Sequence, residues 1–143
     1  MARKQPRVRF EPKPVKRPRI GEPSFHEGLP LAWKFSQADR GGPWPWSAIS
    51  PESRHALVDR MSNWETMTQT DLRQGGSHPV PVSGLCREAQ LRLAEIEQDD
   101  LDEMMSFRLS NRERLWCIRD RNLMRVLWWD PAHEVWPTQP RNT

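Results

Sequence analysis

Cysteine is scarce in this sequence, with only Cys86 and Cys117 among 143 residues. The two form no CxxC pair, and no histidines stand at the spacings typical of a structural zinc site. Thiols without a secretory context are usually reduced. We therefore expect both cysteines to be free and at least partly buried, and we expect no disulfide, metal or other cofactor.

Long apolar segments are also missing. No stretch approaches the roughly 18 consecutive apolar residues of a membrane-spanning helix. The N-terminal sequence MARKQPRVRFEPKPVKRPRI lacks the apolar core of a signal peptide. Mean hydropathy is −0.86, so part of the chain is expected to lie outside any packed core. These features predict a cytoplasmic protein of one domain, without a membrane partner.

Several common catalytic and nucleotide-binding motifs are absent. The sequence contains neither GxGxxG nor GxxxxGK[ST], the glycine-rich loops that hold dinucleotides and nucleoside triphosphates. It also lacks GxSxG and HExxH, the signatures of α/β-hydrolases and zinc peptidases. Enzymes of those classes, and small-molecule cofactors, are therefore not expected.

Positive charge is concentrated in the first residues of the chain. Residues 1–20 contain eight Lys or Arg and one Glu, a net charge of +7, which leaves 14 bases and 18 acids, a net of −4, in residues 21–143. With its prolines, the segment 1–24 is predicted to be a disordered basic arm. Such an arm suits either a phosphate backbone or an acidic protein partner. Its candidate RNA-binding residues are Lys4, Arg7, Arg9, Lys16, Arg17 and Arg19.

Residues 25–143 are predicted to form a single α+β domain. Period-two alternation favours a strand within 29–39, and apolar spacing of three to four predicts helices over 51–67 and from about residue 85. The Gly- and Pro-rich residues 70–84 are typical of a loop. Strands are predicted over 104–110, 113–121 and 123–130, with a further short one at 133–137. The expected fold is a small antiparallel sheet of about four strands packed on two helices, both on one face.

Arginine is frequent in the predicted strands. Alternate residues of a strand share a face, so arginines can line one surface of the sheet and donate paired hydrogen bonds to phosphate. The alternative is an exposed face that pairs with the acidic run 95–103 through salt bridges. The six arginines are Arg108, Arg112, Arg114, Arg119, Arg121 and Arg125.

Two adjacent tryptophans occupy the last predicted strand. Because neighbouring strand residues point to opposite faces, Trp128 and Trp129 can both be buried only if both faces of the sheet are covered. We expect one to be buried and the other, represented by Trp129, to lie beside the arginines. An exposed ring there could stack on an RNA base, or be covered by the arm or a partner.

Two histidines are candidates for proton transfer. His133 follows the turn DPAH after the arginine-rich strands, and His78 lies in the predicted loop. A neutral imidazole near pH 7 can accept or donate a proton, as RNA cleavage by 2′-hydroxyl attack requires. The alternative for each is a structural histidine held by hydrogen bonds.

The order strand, helix, helix, meander, together with the segment FRLSNRERLWCIRDRNLMRVLWWDPAHEVWP, resembles the RelE/ParE-type toxin superfamily. In that family an R-L-R strand precedes a strand reading approximately Y-R-V-L-Y. RERLWCIRD and LMRVLWWD stand at those places here. The resemblance covers about residues 29–137. The same segment is similar to a group of small bacterial proteins of unknown function with a C-terminal LWWDP-H signature.

The toxin resemblance implies an endoribonuclease that cuts mRNA at the ribosome without a metal and is silenced by a cognate antitoxin. In that family, basic residues of the sheet hold the RNA phosphate and stabilise the transition state. Arg114, Arg119 and Arg125 match the basic strand positions, and His133 is the candidate general acid or base. The resemblance thus implies Arg119 and Arg125 as catalytic residues, beside the candidate His133, and Arg114 as a residue that binds RNA. The strand pattern, independently of the resemblance, predicts that Arg108, Arg112 and Trp129 also bind RNA.

Two other functions remain compatible with the sequence. The protein could be a non-enzymatic toxin or phage-related inhibitor that docks on a replication or translation protein. It could also be a nucleic-acid-binding accessory protein that acts through its basic arm. ParE-like members act on DNA gyrase, so the family resemblance alone leaves the target open.

Overall fold

Five strands form one sheet in a computed structural model that describes residues 29–137. The sheet order is β1-β5-β4-β3-β2. The strands and helices, in chain order, are β1 Ala32–Lys34, α1 Pro51–Trp64, α2 Gln69–Gln74, β2 His78–Pro81, α3 Arg87–Glu95, β3 Glu103–Arg108, β4 Arg114–Asp120 and β5 Leu123–Asp130. The predicted α+β class is confirmed, with five strands and three helices instead of about four and two. The basic arm 1–24 lies outside the described residues.

Strands β3, β4 and β5 form the predicted antiparallel meander. Phe107 lies opposite Leu115, and Leu115 lies opposite Trp129, so apolar side chains of three adjacent strands share one face. Strand β1 instead pairs with β5 in parallel. A parallel pair needs a crossover connection, and here the chain from β1 to β5 includes all three helices and the other strands.

Helix α1 begins where the sequence predicts. The Ser50 hydroxyl accepts a hydrogen bond from the Ser53 backbone N–H, and Pro51 occupies the first helical position. The predicted loop 70–84 is wrong, because this segment contains most of α2, the strand β2 and a short 3-10 turn. Strand β2 contains two prolines and lies at the edge of the sheet, where missing backbone donors are tolerated.

The helices cover both faces of the sheet. On the first face, Leu57, Met61 and Trp64 of α1 belong to a buried cluster with residues of β3, β4 and β5. On the second face, Ala89 and Leu93 of α3 pack in a separate cluster. Helices α1 and α3 correspond to the two predicted helices, so the expectation that both lie on one face is wrong.

Because both faces are covered, both adjacent tryptophans are buried. Trp128 is 0% exposed in the second cluster and Trp129 is 2% exposed in the first. The prediction that one of them would be exposed is therefore wrong. Burial of two large rings on opposite faces makes β5 the strand that joins the two cores.

Within residues 29–137, no helix is long and apolar enough to cross a membrane. Cys117 is buried, Cys86 is half-buried, and both are free thiols as predicted. Burial raises the pKa of the Cys117 thiol well above its ordinary value, so this side chain behaves as a small apolar core residue.

Candidate phosphate-binding site

Three charged side chains form a row across adjacent strands at one end of the second face. Arg108 at the end of β3 lies opposite Arg114 at the start of β4. Arg114 in turn lies opposite Asp130 at the end of β5. Directly opposite residues have Cβ atoms about 5 Å apart, so the strand register alone brings the two arginines together.

The loop between β3 and β4 fixes both guanidinium groups through neutral acceptors. Arg114 Nη1 donates to the backbone carbonyls of Ser110 at 2.7 Å and Glu113 at 3.1 Å. Arg108 Nη2 donates to the Asn111 side-chain oxygen at 2.8 Å, and its Nε to the Ser110 carbonyl at 3.3 Å. These hydrogen bonds orient the side chains without neutralising their charge.

The acid of this loop is held away from the arginines. The Glu113 carboxylate accepts hydrogen bonds from the Ser53 hydroxyl of α1 and from the Ser110 hydroxyl at 2.9 Å. Among the residues that the structure describes, no carboxylate forms an ion pair within 4 Å of Arg108, Arg112 or Arg114. The salt-bridge alternative considered from the sequence therefore does not hold for these three arginines.

Asp130 organises the chain that follows β5. Its carboxylate, which is fully buried, accepts from the Glu134 backbone N–H at 2.9 Å, the Val135 backbone N–H at 3.0 Å and the Trp116 indole N–H at 3.3 Å. These bonds hold residues 131–135 in a turn, and the predicted strand over 133–137 is therefore wrong.

The turn holds His133 in a left-handed backbone conformation, near enough to Arg108, Arg112 and Arg114 for their charges to act on its imidazole. Its φ is 58°, a conformation that is uncommon outside glycine and that clusters at functional sites. Burial lowers the pKa of His133 from the ordinary 6.5, and the positive charges of Arg114, Arg108 and Arg112 lower it further, against the opposite effect of Asp130. The ring is accordingly neutral at pH 7. We call Arg108, Arg112, Arg114 and His133 the arginine–histidine cluster.

Burial and the neighbouring Arg108 also lower the pKa of Arg114, while Asp130 acts in the opposite direction. An arginine side chain nevertheless remains charged at neutral pH after such a shift. Electrostatic repulsion between two close guanidinium groups makes the site favourable for an anion that lies between them.

The residues before β2 border the cluster. The Arg108 backbone N–H donates to the Ser77 hydroxyl at 2.9 Å. A Cβ atom on Gly76 would lie 2.7 Å from Arg108 Cδ, and Gly76 has a φ of 93°. Glycine is thus required here both by its backbone conformation and by the close approach of Arg108. This requirement was missed from the sequence, although a Gly75-Gly76 pair was a visible signal.

His78 lies near the cluster without belonging to it. It is opposite Ser106 on β3, two residues before Arg108. Its ring packs edge-on against Trp136 at a centroid distance of 5.5 Å, and its Nδ1 lies 3.0 Å from the Pro79 carbonyl oxygen. These contacts support the alternative that His78 is a structural histidine.

The predicted catalytic set does not converge. Arg125 lies opposite Ile118, four residues along β4 from Arg114, which corresponds to roughly 13 Å. Arg119 projects to the first face, where it pairs with Glu103 at 3.3 Å. The structure therefore brings His133 together with Arg108, Arg112 and Arg114, and separates it from Arg119 and Arg125.

The remaining predicted RNA-binding residues are placed as follows. Trp129 is in the core, so its ring has no face available for stacking on a base, and that assignment is wrong. Lys4, Arg7, Arg9, Lys16, Arg17 and Arg19 lie outside the described residues.

The arrangement suits a phosphodiester. Two or three guanidinium groups can donate to its non-bridging oxygens, and a neutral imidazole beside them can accept a proton. Residues 29–137 contain no cluster of three or more His, Cys, Asp or Glu side chains that could hold a metal ion. No protein-family model, curated protein or solved structure matches this chain.

Proposed function

We propose that this protein is a RelE-like endoribonuclease that cleaves RNA at the arginine–histidine cluster. The observation that carries the proposal is the convergence of Arg108, Arg112 and Arg114, without a carboxylate ion-pair partner in residues 29–137, on His133, whose pKa is lowered. Unneutralised arginines and a neutral histidine are the two components that RNA cleavage by its own 2′-hydroxyl needs.

The reaction follows from these groups. His133 accepts the proton of the ribose 2′-hydroxyl as that oxygen attacks the adjacent phosphorus. The arginines stabilise the negative charge that develops on the non-bridging oxygens. The bond from phosphorus to the 5′-oxygen breaks, and that oxygen takes a proton from solvent. The products are a 2′,3′-cyclic phosphate and a 5′-hydroxyl end.

The biological setting belongs to the same proposal. The strand, helix, helix and meander of the resemblance correspond to β1, α1, α3 and β3–β5, with α2 and β2 as additional elements, and this order supports the resemblance to RelE-type toxins. We accordingly assign ribosome-bound mRNA as the substrate, a cognate antitoxin as the protein partner and the cytoplasm as the compartment. The +7 arm at residues 1–20 would add electrostatic attraction to RNA.

Substitution of the two less buried arginines tests phosphate binding. Each contact to a single-stranded phosphate contributes about 0.7 to the slope of log affinity against log salt. The variant R108Q/R112Q is therefore expected to weaken binding to a short RNA about tenfold or more and to lower the slope by about 1.4. Fluorescence anisotropy over a salt series measures both quantities.

The matched control is R121Q, which removes an exposed arginine at the β4–β5 turn, at the opposite end of the sheet. It should reproduce the wild-type slope. Equal slope changes in R121Q and in R108Q/R112Q would show that RNA responds only to overall charge, and would contradict binding at the cluster.

The pH dependence of cleavage should report His133. Its folded pKa lies below 6.5, and kcat/KM reflects the free protein. We therefore expect kcat/KM to be constant from pH 7.5 down to about 6.5 and to fall about tenfold per unit only below the lowered pKa. Bound phosphate offsets the arginine charges, so the acid limb of kcat should lie at higher pH. An acid limb of kcat/KM centred above 6.5 would contradict a histidine held neutral by this environment.

A further inference from the structure

The loop between β3 and β4, which orients the cluster arginines, is attached to helix α1 at both of its ends. At the first end, Arg60 Nη1 donates to the Leu109 carbonyl at 2.9 Å, and Arg60 Nη2 donates to the Arg108 carbonyl at 3.1 Å. At the second end, the Ser53 hydroxyl donates to Glu113 Oε2. Ser53 and Arg60 are seven residues apart in α1, which is about two turns, so they share one face of the helix.

Glu113 links this loop to the helix. Its Oε1 accepts from the Ser110 hydroxyl at 2.9 Å while its Oε2 accepts from Ser53, so the two carboxylate oxygens bind two different parts of the chain. The Glu113 backbone N–H donates to the Ser110 hydroxyl at 3.2 Å. The Glu113 carbonyl accepts from the Leu109 backbone N–H at 3.0 Å and from Arg114 Nη1 at 3.1 Å. Glu113 thus forms hydrogen bonds through its side chain and both of its backbone polar groups.

The residue that Glu113 holds is the one that binds both arginines. The Ser110 carbonyl accepts from Arg114 Nη1 at 2.7 Å and from Arg108 Nε at 3.3 Å. Ser110 itself is exposed, so without the Glu113 carboxylate its hydroxyl would bind water instead of the loop. An arginine that is oriented before a ligand arrives loses less conformational entropy on binding. The hydrogen bonds of Glu113 therefore act on the cluster through Ser110.

We propose that Glu113 is a positioning residue, which orients Arg108 and Arg114 and so favours RNA binding at the arginine–histidine cluster although its own charge is negative. Its carboxylate bridges Ser53 and Ser110 and keeps the loop in the conformation whose carbonyls bind the two arginines. The effect on RNA rests on the proposed function. The orientation of the arginines does not, because it exists without RNA.

Two substitutions that remove the same charge test the proposal. Glutamine keeps an oxygen that can accept from Ser53 and an amide that can donate to Ser110, whereas alanine keeps neither. The probe is a fluorescein-labelled 2′-O-methyl oligouridylate, which has no 2′-hydroxyl for the cleavage reaction, and fluorescence anisotropy measures its affinity. If only charge mattered, E113Q and E113A would both bind it more tightly. We expect E113Q to bind at least as tightly as wild type and E113A to bind about threefold to tenfold more weakly, the usual cost of ordering a long side chain on binding.

Variants of Ser53 show whether Glu113 acts through helix α1. S53T keeps the hydroxyl and should bind the probe as wild type does, whereas S53A should weaken binding. S53A/E113A should bind no more weakly than E113A, because the two side chains act through one shared hydrogen bond. The control E52A removes the exposed acid beside Ser53 and should not weaken binding. Equal affinities of E113A and E113Q, or losses that add in S53A/E113A, would overturn the proposal.

A measurement without RNA distinguishes this proposal from the proposed function. Nitrogen-15 relaxation of the Arg108 Nε–H, assigned by its loss in R108Q, reports how well the side chain is ordered. The order parameter should be the same in wild type and E113Q and lower in E113A. Equal order in E113A and E113Q would contradict a positioning role. A loss of order in E113A, together with a wild-type protein that leaves RNA intact, would support the positioning of Arg108 and contradict the endoribonuclease.

Discussion

Replacing His133 with asparagine is expected to lower the rate of RNA cleavage about 10²–10⁴-fold, the usual contribution of one general acid–base group. RNA binding should remain within about threefold of wild type, because phosphate is held by arginines that this substitution leaves in place. The rate is measured on mRNA in a reconstituted translation reaction, and affinity is measured by anisotropy with a short RNA.

Asparagine is chosen because of the backbone at this position. His133 has a φ of 58°, and asparagine adopts this left-handed region more readily than most residues. The variant therefore removes proton transfer without adding backbone strain. H55N, at an exposed histidine of α1, is the matched control and should cleave as wild type. Wild-type rates in H133N would contradict a role for His133 in the reaction.

Replacing Asp130 with alanine is expected to lower the free energy of unfolding by several kcal/mol, because each buried donor left without its acceptor costs about 1–3 kcal/mol. The carboxylate is 0% exposed and accepts three hydrogen bonds, from the Trp116 indole and from the backbone of Glu134 and Val135. With alanine at position 130, all three N–H donors lose this acceptor, and those of Trp116 and Val135 belong to fully buried residues. Urea denaturation followed by circular dichroism measures the loss.

Two control variants distinguish the loss of the Asp130 hydrogen bonds from the loss of a negative charge. D120A removes an exposed acid at the end of β4 and should change stability by less than about 0.5 kcal/mol. D130N keeps one acceptor oxygen, so its stability should lie between those of wild type and D130A. A D130A protein as stable as D120A would show that the turn around His133 is held by other contacts.

The strands of the meander could be predicted because their signals are local. Strand β5 occupies residues 123–130 as expected, and α1 starts at its Ser50-Pro51 cap. Strand β2 could not, since Pro79 and Pro81 disfavour a strand unless it lies at a sheet edge. Edge position depends on the pairing of β2 with β3, a contact between distant parts of the chain.

The sequence alone predicts only in part which arginines lie on the same face of the sheet. Arg114 and Arg119 are an odd number of residues apart on one strand, so period-two alternation alone places them on opposite faces. A site that combines Arg114 and Arg119 with Arg125 and His133 is inconsistent with this parity. Other features depend on tertiary contacts, above all the engagement of Glu113 by Ser53 of α1. That contact leaves the neighbouring arginines without an acid.

The burial of both tryptophans of β5 also could not be predicted from the local sequence pattern. Whether Trp129 faces solvent depends on which faces the helices cover, and a connection of given length can carry a helix to either side. With α1 on the first face and α3 on the second, both rings are inside. The candidate site therefore consists of charged residues at strand ends and in the adjoining turns, and includes neither of these two tryptophans.

The most direct test of the account is the chemistry of the RNA ends that the protein produces. Wild-type protein is incubated with mRNA in a reconstituted translation reaction, and the fragments are analysed by end-specific ligation and mass spectrometry. Attack by the 2′-hydroxyl yields 2′,3′-cyclic phosphate and 5′-hydroxyl ends, which should be absent with H133N. Intact mRNA, or fragments with 5′-phosphate ends, would contradict cleavage at the arginine–histidine cluster.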